Sequence, residues 1–221
     1  MRLAGLYAGS RLAGYALAVL ALLALVSWAA LGLLSRPFAV PGVVLVPVLV
    51  FAPLAAACVV VAGASSPFGE TERTASYGLP ALRFVHLAGL LACAVLALLV
   101  AALAWGPNHG GWMLARNLLG FAGLALLAAR AVGGRLSWTA PFVFVTVAAF
   151  MGRAETREKP ERDGPLAELM GLIPAGEYEW WAWPLRPGHD PYSWAVVLGL
   201  VLVGLWLVCL YGARDLSGEE Q

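Results

Sequence analysis

"SSPFGETERTASYGLP", residues 65–80, is the only strongly polar run in the first hundred residues, and it separates two long apolar stretches. How it is read decides whether the loop between the second and third apolar runs is a mere connector or a surface for a partner. Ser66 is a helix-capping residue type, Pro67 suits a first helical position, and Gly78 with Pro80 supply a stop. Residues 67–77 are therefore expected to form about three helical turns lying across a membrane surface. On such a helix Glu70, Arg73 and Tyr77 share one face at i, i+3 and i+7, while Phe68 and Glu72 point elsewhere. A bare connector between spans needs only about four to six residues. The stretch reads either as an interfacial helix that anchors the fold or as a docking surface whose charge pairs fix the register of a soluble partner.

The apolar runs on either side set the class. Of 221 residues, 61% are apolar and 12% charged, with a mean hydropathy of +0.81. Soluble domains carry about a quarter charged residues, so this is an all-α integral membrane protein. Six spans are expected, at about 12–34, 38–64, 84–105, 112–132, 136–152 and 192–213. The first, Leu12 to Leu34, has no charge for 23 residues. That exceeds the roughly 7–15 residues of a signal peptide's apolar core, so it reads as a retained span with Arg2 and Arg11 as anchors. The second carries Pro41, Pro47 and Pro53, and reads as a kinked packing helix or as a flexible element of a transport path. Arg116 and Arg130, near the ends of the fourth, are expected to snorkel toward headgroups. The fifth has only about seventeen residues and includes Pro141, close to the lower limit for crossing.

Arginines at span ends give the orientation. With six spans and a cytoplasmic N-terminus, Arg2, Arg11, Arg73, Arg83, Arg130, Arg135 and Arg214 lie inside, and the short outer loops hold only Arg36 and Arg116. Both termini are then cytoplasmic. A five-span alternative with a re-entrant fifth segment would bring Arg153, Arg157, Lys159, Arg162 and Arg186 inside as well. Six is preferred because acid and base cancel in 153–164 and the Trp-rich remainder suits an interface.

That remainder belongs to a polar and Trp-rich segment, 153–191. Within it "GEYEWWAWPLRPGHDPYSW", residues 176–194, holds four tryptophans and two tyrosines. It reads as an aromatic belt before the last span, or as an external lip formed by Trp180, Trp181, Trp183, Arg186 and Trp194 that touches a lipid-like or peptide cargo. Leu166, Leu169, Met170 and Ile173 just before it repeat at helical spacing, as in a short helix lying flat on a membrane. Glu177, Glu179, Arg186 and Asp190 would then line its polar rim.

Several chemistries lack their residues. A net charge of +1 without a basic block argues against nucleic acid. There is no G-x-x-x-x-G-K-[ST] loop, and the single lysine sits in "REKPER", so this chain does not hydrolyse ATP. Cys58, Cys93 and Cys209 fall in apolar runs without metal-type spacing, and read as small hydrophobes. No Asp or Glu falls within an expected span, which argues against an ion-driven pump. An intramembrane enzyme would have to use His86 or His189, since no H-E-x-x-H or G-x-S-x-G occurs.

In layout the chain resembles the six-span permeases of ATP-binding-cassette exporters of the type-two class. It shares a short basic N-terminus, a cytoplasmic helix between the second and third spans, and an enlarged segment between the fifth and sixth. "SPFGETERTASYGLPALRFVHL" and "WWAWPLRPGHDPYSW" also look like stretches of actinobacterial membrane proteins associated with such exporters. The resemblance implies that Phe68, Glu70, Glu72, Arg73 and Tyr77 seat on a separate ATPase that binds ATP-Mg, and that two such chains, or this one with a similar one, frame the path. It also implies a bacterial cytoplasmic membrane, and the charge-poor interior suggests a hydrophobic or amphipathic cargo. The chain departs from the pattern at "RAETREKPERDG", 153–164, where eight of twelve residues are charged and the family carries a re-entrant apolar pair. A non-transporting scaffold, accessory or immunity subunit is the alternative, and a membrane enzyme the third.

Overall fold

The computed structural model describes residues 13–33, 41–64, 79–104, 110–151 and 179–213. They form six α-helices: α1 (Ala13–Leu33), α2 (Pro41–Ala62), α3 (Leu79–Leu103), α4 (Gly111–Ala131), α5 (Thr139–Met151) and α6 (Pro191–Tyr211). A 3₁₀ turn, Gly134–Leu136, precedes α5, and another, Trp183–Leu185, precedes α6. Among the described residues there is no strand. Helix is what a chain of Ala, Leu and Val must adopt in lipid, where each backbone N–H and C=O has to be satisfied within the segment.

Among the described residues, five stretches are long and apolar enough to cross a membrane: Ala13–Gly32, Pro80–Leu103, Gly111–Ala131, Gly134–Met151 and Pro191–Tyr211. The protein is therefore a multi-pass membrane protein. The remaining helix, α2, has 22 residues, and its fully described portion is the apolar stretch Val48–Ala62. Boundaries fall near the expected ones except at α3, which begins at Leu79 rather than Phe84. Pro80, read from sequence as the stop of a preceding helix, lies in the first turn of α3 instead. A missing N–H costs nothing there.

The centre of the bundle is α4. It packs most extensively on α6, then on α2, α3 and α5, while α1 lies at the edge against α2 and α3. Fifteen of its 21 residues are buried. It is also less apolar than α1, α3 and α6. That is the inside-out logic of a membrane bundle: lipid-facing helices must be greasy, and polar groups collect on the helix with the least outward surface.

Close approach of α4 and α6 depends on two glycines. A Cβ on Gly123 would stand 2.7 Å from the backbone of Leu200 and Val201, and one on Gly204 would stand 2.9 Å from the Gly123 carbonyl. Small residues at such contacts let backbones meet and dispersion accumulate, which is what holds helices together where lipid is as apolar as leucine.

Contacts along the helices give their relative directions. The side chain of Asn117, near the start of α4, reaches Leu49 in α2 and the turn before α6. At the other end Arg130 of α4 lies over Tyr211, the last residue of α6. Gly63, just past α2, packs on His86 and Leu90 of α3, and Gly212, just past α6, packs on Arg83. Helices α2, α4 and α6 thus run one way and α3 runs back between their ends. The second half of α5 (Val145, Ala148, Ala149) meets Val50, Phe51, Pro184 and Leu185 around an apolar cavity of about 100 Å³.

Candidate functional site

The most constructed feature of the molecule is the segment 179–190, a strap that crosses the end of the bundle before α6. Sequence composition marks it only as aromatic and polar. What holds it down is a pair of side chains in the second turn of α4.

Arg116 and Asn117 are both fully buried. The Arg116 guanidinium donates to the carbonyls of Pro187 (Nη1, 2.6 Å) and Arg186 (Nη2, 2.8 Å). Its Nε and Nη2 also donate to Asn117 Oδ1 at 3.3 and 3.2 Å. Asn117 Nδ2 in turn donates to the carbonyls of Leu49 and Pro184, both at 3.0 Å. Two adjacent side chains on α4 therefore tie together α2, α4 and three residues of the strap. A buried cation is tolerable only with such a shell of acceptors. Arg116 does not snorkel, contrary to the sequence expectation. The strap folds over it and replaces water with backbone carbonyls.

Asp190 is the neighbouring carboxylate. As N-cap of α6 it accepts from the Ser193 backbone N–H at 3.0 Å and from the Ser193 hydroxyl, and it pairs with Arg186 Nε at 3.5 Å. Partial burial pushes its pKa up, but the Ser193 hydrogen bonds and the charges of Arg186 and Arg116 outweigh this, so the carboxyl lies below its ordinary value. The ion pair leaves the strap's charges balanced beside the buried guanidinium.

The aromatic residues divide by role. Trp183 turns inward and is buried. Its ring stacks on Phe144 (centroids 5.4 Å apart, 21° between planes) and tilts against Phe121 at 5.2 Å. It covers Gly120, where a Cβ would stand 2.2 Å from the indole. Trp194 donates from Nε1 to the Gly188 carbonyl at 2.8 Å and meets Trp112 edge-on. Trp180 is exposed and packs edge-on against Tyr192. Trp181 is half-buried. Of the five residues assigned to an external lip, the strap thus places Trp183 in the bundle, uses Arg186 and Trp194 to fix its own backbone, and leaves Trp180 outermost.

Phe68, Glu70, Glu72, Arg73 and Tyr77 lie outside the described residues, as does the charged stretch 153–164. His86 packs against Gly63 at one end of the bundle, and His189 is exposed on the strap at the other. They do not share a site. Among the described residues no cluster of three or more His, Cys, Asp or Glu is arranged to hold a metal.

The Arg116–Asn117 pair is the part of the site that sequence reading missed. A partial signal was present: two adjacent polar residues in the second turn of an apolar span, with Gly120 and Gly123 following at helical spacing on the Arg116 face. No protein-family model, curated protein or solved structure matches the chain.

Proposed function

We propose that the protein is the membrane subunit of an ATP-driven exporter. In this reading it crosses the bacterial cytoplasmic membrane six times with both termini in the cytoplasm, and moves a hydrophobic or amphipathic cargo using a separate ATP-binding-cassette ATPase. The chain itself carries no catalytic residue. ATP-Mg belongs to the partner, and a second copy or a similar chain completes the path.

One observation carries this reading. The 65–78 connection leaves the bundle at the end where Arg83, Arg130 and Arg135 lie, opposite the strap. By the arginine rule that end is cytoplasmic, the side on which the reading needs a soluble ATPase to meet Phe68, Glu70, Glu72, Arg73 and Tyr77. Once Arg116 is enclosed by the strap, it no longer counts as an outer-loop charge, and the bias sharpens. The common direction of α2, α4 and α6, and the 22-residue length of α2, support a sixth crossing. At the other end Trp180 and Tyr192 remain outermost for contact with a cargo.

A second reading, a membrane scaffold without transport, is favoured by the Arg116–Asn117 lock, which fixes the strap instead of freeing it. Co-purification separates the two. An ATP-binding-cassette ATPase from the same cell should be retained with the chain in detergent, and Glu70→Lys combined with Arg73→Glu should release it while the spans stay folded. ATP-dependent cargo movement in reconstituted vesicles should follow the same variants. Retention of the ATPase by the double variant would remove the docking role, and retention without any movement would leave the scaffold.

A further inference from the structure

The cavity of about 100 Å³ between α2, α5 and the strap has no polar atom in its wall. Val50, Val145, Ala148 and Pro184 line it and are buried. Phe51 of α2, which is 54% exposed, and Ala149 of α5, which is exposed, complete the rim, so the mouth opens outward between these two helices. The opening lies at the level of Leu49, whose carbonyl meets Asn117 in the second turn of α4. That is inside the apolar thickness of the bundle, where the surrounding medium is lipid chain.

The space persists because α5 is propped. Helices α2 and α5 touch at few points. The Trp183 ring lies against Phe121 of α4 at 5.2 Å and against Phe144 of α5 at 5.4 Å, and so spans from one helix to the other. Asn117 holds the next residue of the strap through the Pro184 carbonyl at 3.0 Å. A void whose walls cannot close costs every lining atom its missing dispersion contacts. Water does not repair that loss, since a buried water needs about two to four polar partners. The room suits roughly three groups the size of a water or a methylene.

We propose that this slot seats a stretch of acyl chain from a membrane phospholipid, entering between Phe51 and Ala149 and lying against Val145, Ala148 and Pro184. Lipid tails are as apolar as the wall, so the gain is packing and not hydrophobic transfer. Selection then acts on the chain and not on the headgroup. The bland alternative is a dent that lipid passes like any other outward surface. The seat depends neither on an ATPase nor on which way the bundle faces.

The full chain in nanodiscs of phosphatidylglycerol carrying a photoreactive diazirine midway along one acyl chain separates the two. After irradiation, adducts mapped by mass spectrometry should be roughly three- to tenfold more frequent on residues 48–51 and 145–149 than on Leu22, Leu25 and Val26, which face outward from α1. Ala148→Leu places a branched side chain inside the slot and should bring the two regions level. No excess in the parent chain, as when another part of the chain fills the slot, overturns the proposal, and so does an excess that survives the substitution. Should Ala148→Leu fail to fold, Ala149→Leu on the exposed rim closes the mouth without overpacking and carries the same two outcomes. An excess obtained with a photoreactive free alkyl alcohol but not with the phospholipid would mean a pocket for a small soluble molecule and would overturn the lipid assignment.

Discussion

Asn117 does more than its size suggests, because both ends of one amide are used in a place without water. Its oxygen takes two hydrogen bonds from Arg116 and its nitrogen serves carbonyls on two other segments. Asn117→Ala leaves the Leu49 and Pro184 carbonyls without that donor, and strips Arg116 of an acceptor. Each unmet buried group costs about 1–3 kcal/mol, so a loss of roughly 2–5 kcal/mol is expected in detergent unfolding. A loss below about 0.5 kcal/mol, the size of an ordinary surface change, would mean the lock is not formed. Asp190 gives a pH signature. Its pKa is lower in the folded chain than the ordinary value of about 3.9. Its contribution is therefore complete above that value and is lost as pH falls through the folded pKa. Asp190→Asn keeps a capping oxygen for Ser193 but no charge. The variant should melt below the wild type at neutral pH, and the gap should close as the pH falls through the folded pKa. Equal melting midpoints for variant and wild type at neutral pH would remove the charge term.

At the scale of elements, α4 and α6 form the rigid unit and the glycines set its spacing. Gly123→Ala and Gly204→Ala each press a methyl on backbone, which no rotamer change relieves. Overpacking of this kind costs about 1–3 kcal/mol. Gly199, on the exposed side of α6, has nothing within 4 Å of where a Cβ would stand. Gly199→Ala should be neutral, or stabilising by up to about 1 kcal/mol through helix propensity. If all three behave alike, the close α4–α6 contact is absent. These elements show what a sequence reading reaches. The helices were legible because an uninterrupted run of about twenty apolar residues has one structural outcome in lipid. The start of α3 was misread because Pro80 fits the end of one helix and the start of the next equally well. The inward turn of Trp183 was illegible, and the burial of Arg116 was signalled only by Asn117 beside it and by Gly120 and Gly123 on its face, for a different reason. Tryptophan and arginine near a span end usually mark the interface, and only the strap's return over Gly120 reverses that environment. Tertiary contacts decided those two residues, and composition carries no trace of such contacts.

For the whole molecule, the two ends differ in kind. One is closed by a hydrogen-bonded strap in which Arg186 and Asp190 pair with each other. The other carries Arg83, Arg130 and the exposed Arg135, with no carboxylate among the described residues there. A cationic end is retained on the side where the membrane is synthesised, so this asymmetry fixes the orientation if the arginine rule governs. Single cysteines at positions 135 and 189, both exposed, test it in intact cells. Cys58 and Cys209 lie inside helices and Cys93 faces outward from α3 within a span, so a charged thiol reagent should find little to react with in the parent chain. A cysteine at 189 should be blocked by such a reagent added outside, and one at 135 only after the membrane is opened. The opposite pattern would put the 65–78 connection outside the cell, beyond the reach of any cytoplasmic ATPase. The exporter reading would then fall, while the strap, its lock and the α4–α6 unit would stand unchanged, because none of them depends on which way the bundle faces.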